Sequence, residues 1–123
     1  MFKKLDRYFK KIDEKGSIEG LVNEGCWQEI NLISSKGGVI RGNHYHRNTR
    51  ELFIILKGKI KVILQAVEDN RLKGEKLEVF VTEGDVLIIE PNVYHTFFPE
   101  IDSLWLNALT VKNDPTNPDF HEI

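Results

Sequence analysis

From Ser17 onward, apolar residues return at every second position in short runs, and this period of two restricts the fold more than any other feature of the chain. The runs WQEINLISS, ELFIILKG, KIKVILQAVE, EKLEVFVTE, DVLIIE, YHTFF and SLWLNALTV are rich in β-branched and aromatic residues. Turn chemistry separates them: Lys57-Gly58, Asp69-Asn70 followed by Gly74, Glu83-Gly84-Asp85, and Pro91-Asn92. Strands recurring every ~8 to 12 residues predict an all-β sandwich or closed barrel. In KIKVILQA, Ile60, Val62, Leu64 and Ala66 share one face and Lys59, Lys61 and Gln65 the other, as in a sheet with one dry side. Ile63 interrupts the wet side and marks it as a surface that meets another chain.

Before Ser17 the spacing differs. Phe2, Leu5, Phe9 and Ile12 recur at intervals of three and four, which predicts a short amphipathic helix with Lys3, Lys4, Lys10 and Lys11 on its wet side and Gly16 as its stop. The tail NDPTNPDFHEI has two prolines and no period, so an irregular surface segment is expected. The division is therefore an N-terminal helix or arm over 1–16, a β-barrel or sandwich over 17–112 and a tail over 113–123. With 17 Lys and Arg against 19 Asp and Glu, the net charge of −2 supplies no field for a nucleic-acid backbone or an anionic membrane. The lone Cys26 excludes an intramolecular disulfide framework and reads as a small core residue. No window approaches the ~18 apolar residues of a membrane span, and the opening MFKKLDRYFKKIDEK lacks an apolar leader core, so a cytoplasmic location is expected.

Three of the four histidines form a pattern. His44 and His46 flank one residue, so on an extended strand they point to the same side with Cα atoms about 6.6 Å apart, close enough to converge on one ion. Glu51 opens the strand Glu51, Phe53, Ile55, whose face is otherwise apolar, and a carboxylate there is costly unless it is paired or binds a metal. His95 follows Pro91-Asn92, where a turn returns the chain to the sheet.

These residues resemble the cupin superfamily. Its first motif, G-x5-H-x-H-x3,4-E-x6-G, is met at every fixed position by Gly38, His44, His46, Glu51 and Gly58. Its second, G-x5-P-x-G-x2-H-x3-N, keeps Gly84 and His95, with Glu90 in the proline position, Asn92 in the glycine position and Pro99 in the final one. Asn tolerates a left-handed backbone, so the turn survives the replacement. The resemblance implies a small jelly-roll-like β-barrel holding a divalent transition metal on His44, His46, Glu51 and His95. Such a ligand set accepts zinc, iron, manganese, nickel or copper.

Two segments, DEKGSIEGL at 13–21 and VIRGNHYHRNTRE at 39–51, are similar to the D-x-R-G-x and R-G-x-H segments of sugar-nucleotide cupins, with Lys15 where Arg is usual. These are the 3,5-epimerases and ketoisomerases of nucleotide-linked 4-keto-6-deoxyhexoses, and the GNHYH wording is also similar to the C-terminal cupin of capsular-polysaccharide sugar-nucleotide enzymes. The implied chemistry is removal of a proton beside a ketone. It needs a base such as neutral His44, a donor such as Tyr94 or Tyr45 for the developing enolate, and cations such as Arg41 and Arg50, with Lys57 a poorer candidate, for a diphosphate. His44 cannot serve at once as base and as ligand, because a metal occupies the lone pair that would take the proton. Trp27, Trp105, Phe97 and Phe98 either stack a base or sugar or belong to the core. The intact quartet also suits a metal-dependent dioxygenase or decarboxylase, and the small size suits a non-catalytic binding barrel. A homodimer is expected, since edge strands, Ile63 and the N-terminal apolar stripe need cover. Sedimentation at micromolar concentration should therefore show twice 14.3 kDa, and a monomer would refute the expectation.

Overall fold

In the computed structural model, which describes residues 1–123, the alternating runs become eleven β-strands with no helix. They are β1 (Phe2–Leu5), β2 (Phe9–Asp13), β3 (Gly16–Gly20), β4 (Glu29–Ser35), β5 (Arg41–His44), β6 (Glu51–Lys57), β7 (Lys59–Glu68), β8 (Arg71–Thr82), β9 (Val86–Ile89), β10 (Val93–Pro99) and β11 (Ser103–Leu109). A five-stranded sheet in the order β1-β9-β6-β11-β4 faces a four-stranded sheet in the order β5-β10-β7-β8, and β2 and β3 form a separate hairpin. Every pairing is antiparallel. The two sheets are not hydrogen-bonded into one closed barrel, so the arrangement is an open jelly-roll-like sandwich rather than the expected barrel.

The inner faces meet in a core of Phe53, Ile55, Leu87, Ile89 and Trp105 from one sheet and Ile60, Val62, Leu64, Val81, Val93 and Phe97 from the other. A second cluster, Leu52, Val86, Ile88 and Ala108, lies on the outer face of the five-stranded sheet under Leu5, Leu21, Val22 and Trp27. This sheet is therefore dry on both faces along β6 and β9, which is why FIIL and VLII read as unbroken apolar runs rather than alternating ones.

The N-terminal helix does not form. Phe2 and Leu5 pair in register with Ile89 and Val86, and as strand residues three apart they point to opposite faces. Phe2 packs on the inner core and Leu5 on the outer cluster. A helix would put both on one face and leave the edge of β9 unpaired, so tertiary pairing overrides the local period. Phe9 and Ile12 lie in the hairpin instead, with Ile12 72% exposed. Cys26 is also exposed, contrary to the core position expected of it, because the segment covering the outer cluster uses its neighbour Trp27 for that cover.

The turns follow their residue types. Asp69 and Asn70 both have positive φ, 52° and 58°, as a two-residue hairpin turn requires, and Asn92 takes the left-handed conformation at φ 60° in place of glycine. Ile63 lies on the outer face of the four-stranded sheet, beside Tyr94 and Phe98 along an exterior groove. Gly58, between β6 and β7, has φ +119°, and an added Cβ would lie 2.0 Å from Ser103 Oγ and 2.8 Å from Ser103 Cα. At Gly38, with φ +88°, an added Cβ would meet nothing within 4 Å. Gly58→Ala should accordingly destabilise the fold by on the order of 3 kcal/mol in urea unfolding, against about 1 kcal/mol for Gly38→Ala. Equal effects would show that the Ser103 contact does not matter.

Candidate metal and substrate site

The four polar residues of the first and second histidine segments come together at one end of the sandwich. His44 ends β5, His46 follows in the loop, Glu51 opens β6, and His95 lies in β10 directly across from His44. Tyr45, between the histidines, points away from them and is buried, with its hydroxyl donating to Asn70 Oδ1 at 2.5 Å. One ligand atom from each of His44, His46, Glu51 and His95 lies within 4.8 Å of all the others. Glu51 is 6% exposed and His95 2%, whereas His44 and His46 are half-buried, so the cluster has a buried floor and an accessible side.

Two backbone carbonyls fix how the rings face. His95 Nδ1 lies 2.9 Å from the carbonyl of Val93, and His46 Nδ1 lies against the carbonyl of Asp119. A carbonyl can only accept, so both Nδ1 atoms carry the proton, and when neutral both rings present an Nε2 lone pair inward. Those Nε2 atoms stand 2.7 Å (His46) and 3.4 Å (His95) from the Glu51 carboxylate oxygens. His46 Nε2 is at contact distance from Glu51 without the angle of a directed hydrogen bond, and His44 Nδ1 is buried with no partner. Lone pairs facing a carboxylate repel unless a proton or a cation lies between them, and three nitrogens with one oxygen form a donor set suited to a divalent transition metal.

Burial and charge set the protonation. Burial, with the neighbouring His95 and His46, lowers His44 to about 4, so it is neutral near pH 7. Burial also lowers His95, against the attraction of Glu51. For His46 burial acts downward but the adjacent Glu51 carboxylate, 2.7 Å from Nε2, outweighs it, and the net direction is up. Glu51 moves the opposite way, with burial acting upward and the three histidines bringing it below its ordinary value.

The quartet stands between two cavities. One, of about 600 Å³, is polar and is bounded by Glu29, Asn31, Asn107, Asp119 and Phe120; the other, of about 270 Å³, is lined by Ile33, Phe53, Phe97 and Trp105 with Arg41. His44, Glu51 and Asn107 line both. Trp105 Nε1 is buried there without a partner. Exposed Arg41 is braced by Ser35 Oγ at 3.0 Å and the Ser34 carbonyl at 2.8 Å.

Other sequence candidates lie elsewhere. Strand alternation puts Tyr94 on the opposite face of β10 from His95, where its hydroxyl donates to Asn43 Oδ1 at 2.8 Å, so it cannot serve the quartet as acid or base. Arg50 lines neither cavity. Its guanidinium is paired with Glu90 at 2.9 Å and Glu24 at 3.2 Å and lies over Trp27, so its charge is already answered by two carboxylates. Tyr45, Trp27, Lys57 and Phe98 also lie outside both cavities, and Lys15 sits in the tip of the β2–β3 hairpin. Asn107 was detectable in the sequence as a polar residue at an inward position of an apolar strand. Asp119 and Phe120 carried no such signal.

A family model, the polysaccharide biosynthesis C-terminal domain, matches residues 11–114. The chain belongs to this family. No curated protein matches it significantly by sequence. Its fold is similar to the capsular polysaccharide assembling protein CapF from Staphylococcus aureus, at 23% identity and TM-score 0.69 over 94% of this chain and 34% of that one, so the chain spans about a third of CapF's length. It is similar also to dTDP-4-dehydrorhamnose 3,5-epimerase from Sulfolobus tokodaii, at 19% identity and TM-score 0.75 over 94% and 79% of the two chains. A third neighbour is a mutant of the 3,4-ketoisomerase QdtA from Thermoanaerobacterium thermosaccharolyticum in complex with TDP-4-keto-6-deoxyglucose, at 18% identity and TM-score 0.75 over 99% and 87%. The neighbours of this member of the polysaccharide biosynthesis C-terminal domain family thus include a 3,5-epimerase and a 3,4-ketoisomerase of nucleotide-linked sugars.

Tyr94→Phe should cost at most about 1 kcal/mol in unfolding and leave the histidine cluster unchanged, since only one peripheral hydrogen bond is lost. Arg50→Ala should lower the thermal midpoint by a few degrees, about what two partly exposed ion pairs supply, with the cluster equally unaffected. A shift of the His44, His46 or His95 ring resonances in either variant, measured by NMR, would return that residue to the site.

Proposed function

We propose that this chain is an enzyme that removes a proton from the carbon beside the carbonyl of a nucleotide-linked keto sugar, as an epimerase or isomerase. We propose further that His44, His46, Glu51 and His95 hold a divalent transition metal. The observation that carries the metal reading is the fixed orientation of His46 and His95, whose Nε2 atoms converge on Glu51 because backbone carbonyls hold both Nδ1 protons. When bound, such an ion supplies Lewis-acid stabilisation of negative charge developing on a carbonyl oxygen. The substrate class is supported by the epimerase and ketoisomerase folds and by the family's place in polysaccharide biosynthesis.

The chain's own residues divide the remaining work. Arg41, exposed and braced on one side by Ser34 and Ser35, is the cation to fork onto a diphosphate at the mouth of the smaller cavity. Phe53, Phe97 and Trp105 offer the apolar walls against which a deoxysugar ring packs, and they exclude water from the reacting carbon. Asn107, shared by both cavities, is a polar contact for a sugar hydroxyl.

A second reading concerns His44 alone. It is neutral near pH 7, with a partnerless Nδ1, and is therefore able to accept a proton where no ion takes its lone pair. The two readings separate by experiment. Elemental analysis should find about one divalent metal per chain, and incubation with TDP-4-keto-6-deoxyglucose in deuterium oxide should add deuterium beside the ketone by mass spectrometry. Exchange that persists after chelation makes His44 the base. Exchange absent from several nucleoside-diphosphate keto sugars, with metal present, shifts the function to the dioxygenase or decarboxylase class.

Arg41→Ala should weaken nucleoside-diphosphate binding by about 2 kcal/mol, roughly thirtyfold, with metal content unchanged. Glu51→Gln removes the anionic ligand and should release the metal while diphosphate still binds. Calorimetry alongside metal analysis reads both, and an Arg41→Ala protein that binds diphosphate as wild type does would remove the main residue-level support for a nucleotide substrate.

A further inference from the structure

The loop from Tyr45 to Arg50 contains His46 and joins the strands bearing His44 and Glu51, yet apart from a single bridge residue it has no sheet pairing of its own. The His46 carbonyl accepts from Asn92 N at 2.7 Å and Arg50 is tied to Thr110, while the side chains and amides from Tyr45 to Thr49 are held by the segment around Asp119. Tyr45 and His121 exchange backbone hydrogen bonds, each 3.0 Å, as an isolated antiparallel bridge. The Asp119 carboxylate then accepts from Arg47 N at 2.8 Å, from Asn48 N at 2.7 Å and from Thr49 Oγ1 at 2.9 Å, while the Asp119 carbonyl takes the His46 Nδ1 proton. His121 Nε2 lies 3.0 Å from the same carboxylate. Each residue from Tyr45 to Thr49 therefore has a hydrogen bond to the pair Asp119 and His121. Between them Phe120, half exposed, lies over the cluster with its ring centroid 4.3 Å from that of His44.

We propose that Asp119 is a positioning residue for the quartet: its carboxylate clamps the 47–49 loop, and through that clamp its carbonyl sets the tautomer and ring direction of His46. His95 provides an internal contrast. Its Nδ1 partner is Val93, two residues away in the same strand, so its orientation is local and does not depend on the tail. Removing the Asp119 clamp thus frees one histidine and leaves the other set, an outcome that general loosening of the fold would not produce. The metal consequence rests on the reading of the quartet given above, whereas the tautomer consequence is a property of the metal-free chain.

The test is nitrogen-15 NMR of the histidine rings in metal-free protein spanning residues 1–123, at a pH where the imidazoles are neutral, for wild type, Asp119→Ala, Asp119→Asn and Phe120→Ala. Wild type should show both His46 and His95 as Nδ1–H. Asp119→Ala should give a mixture of tautomers at His46 with His95 unchanged, Asp119→Asn should partly restore His46 because one oxygen still accepts, and Phe120→Ala should leave His46 as in wild type. A wild-type His46 protonated at Nε2, a single Nδ1–H form surviving in Asp119→Ala, or equal disturbance of His46 and His95 would each overturn the proposal. Zinc titration of the same proteins should show affinity lower by about 10- to 100-fold in Asp119→Ala. Should wild type bind no zinc, the metal reading of the site fails while the tautomer comparison still decides the role of Asp119.

Discussion

A carboxylate buried at the head of an apolar strand is the constraint around which this end of the molecule is organised. Glu51 starts β6, whose inward residues Phe53 and Ile55 belong to the core, and an ionised oxygen in that position is costly without compensating positive charge or hydrogen bonds. Three imidazoles answer it, two from the end of β5 and the loop that follows it and one from β10. Their rings are close enough, with centroids 4.7 to 5.5 Å apart, that no one of them can ionise without disfavouring its neighbours. The pocket, the bend of the 45–50 loop and the approach of the tail all follow from bringing these nitrogens to that oxygen.

Much of this was legible in the residues because its causes are local. Alternation revealed the strands, Gly58 and Asn92 marked turns through their backbone demands, and the spacing of His44, His46 and Glu51 placed three donors together before any tertiary contact was known. Where the reading failed, the cause was a partner distant in sequence. Phe2 and Leu5 looked helical because the free edge of β9, more than eighty residues on, is invisible in the segment itself. Arg50 looked like a phosphate ligand until Glu90 and Glu24 came within reach. Tyr94 is an alternation error of one position: its neighbour His95 faces the quartet, so it cannot.

The open sandwich and the two cavities are connected. In a closed barrel the strands would wall the cluster on all sides, whereas here β4 and β5 fall in different sheets and His44, Glu51 and Asn107 are reached from a polar side and an apolar side. The polar side carries the carboxylates of Glu29, Asp114 and Asp119, whereas the apolar side carries the one arginine, Arg41, so the two approaches to the cluster differ in charge as well as in polarity.

The bridge between Tyr45 and His121 bears on the order of folding. Contacts that close a loop of this length form late, after the entropy of the intervening chain has been overcome by strands already paired. As the sheets assemble, the His46 loop gains its ties to Asn92 and Thr110 with β10 and β11, but its bonds to Asp119 and His121 wait for the residues around 119 to 121. Final ordering of the His46 loop is then a step distinct from acquisition of the sandwich, set by residues 119–121 rather than by the strands that carry most of the donors.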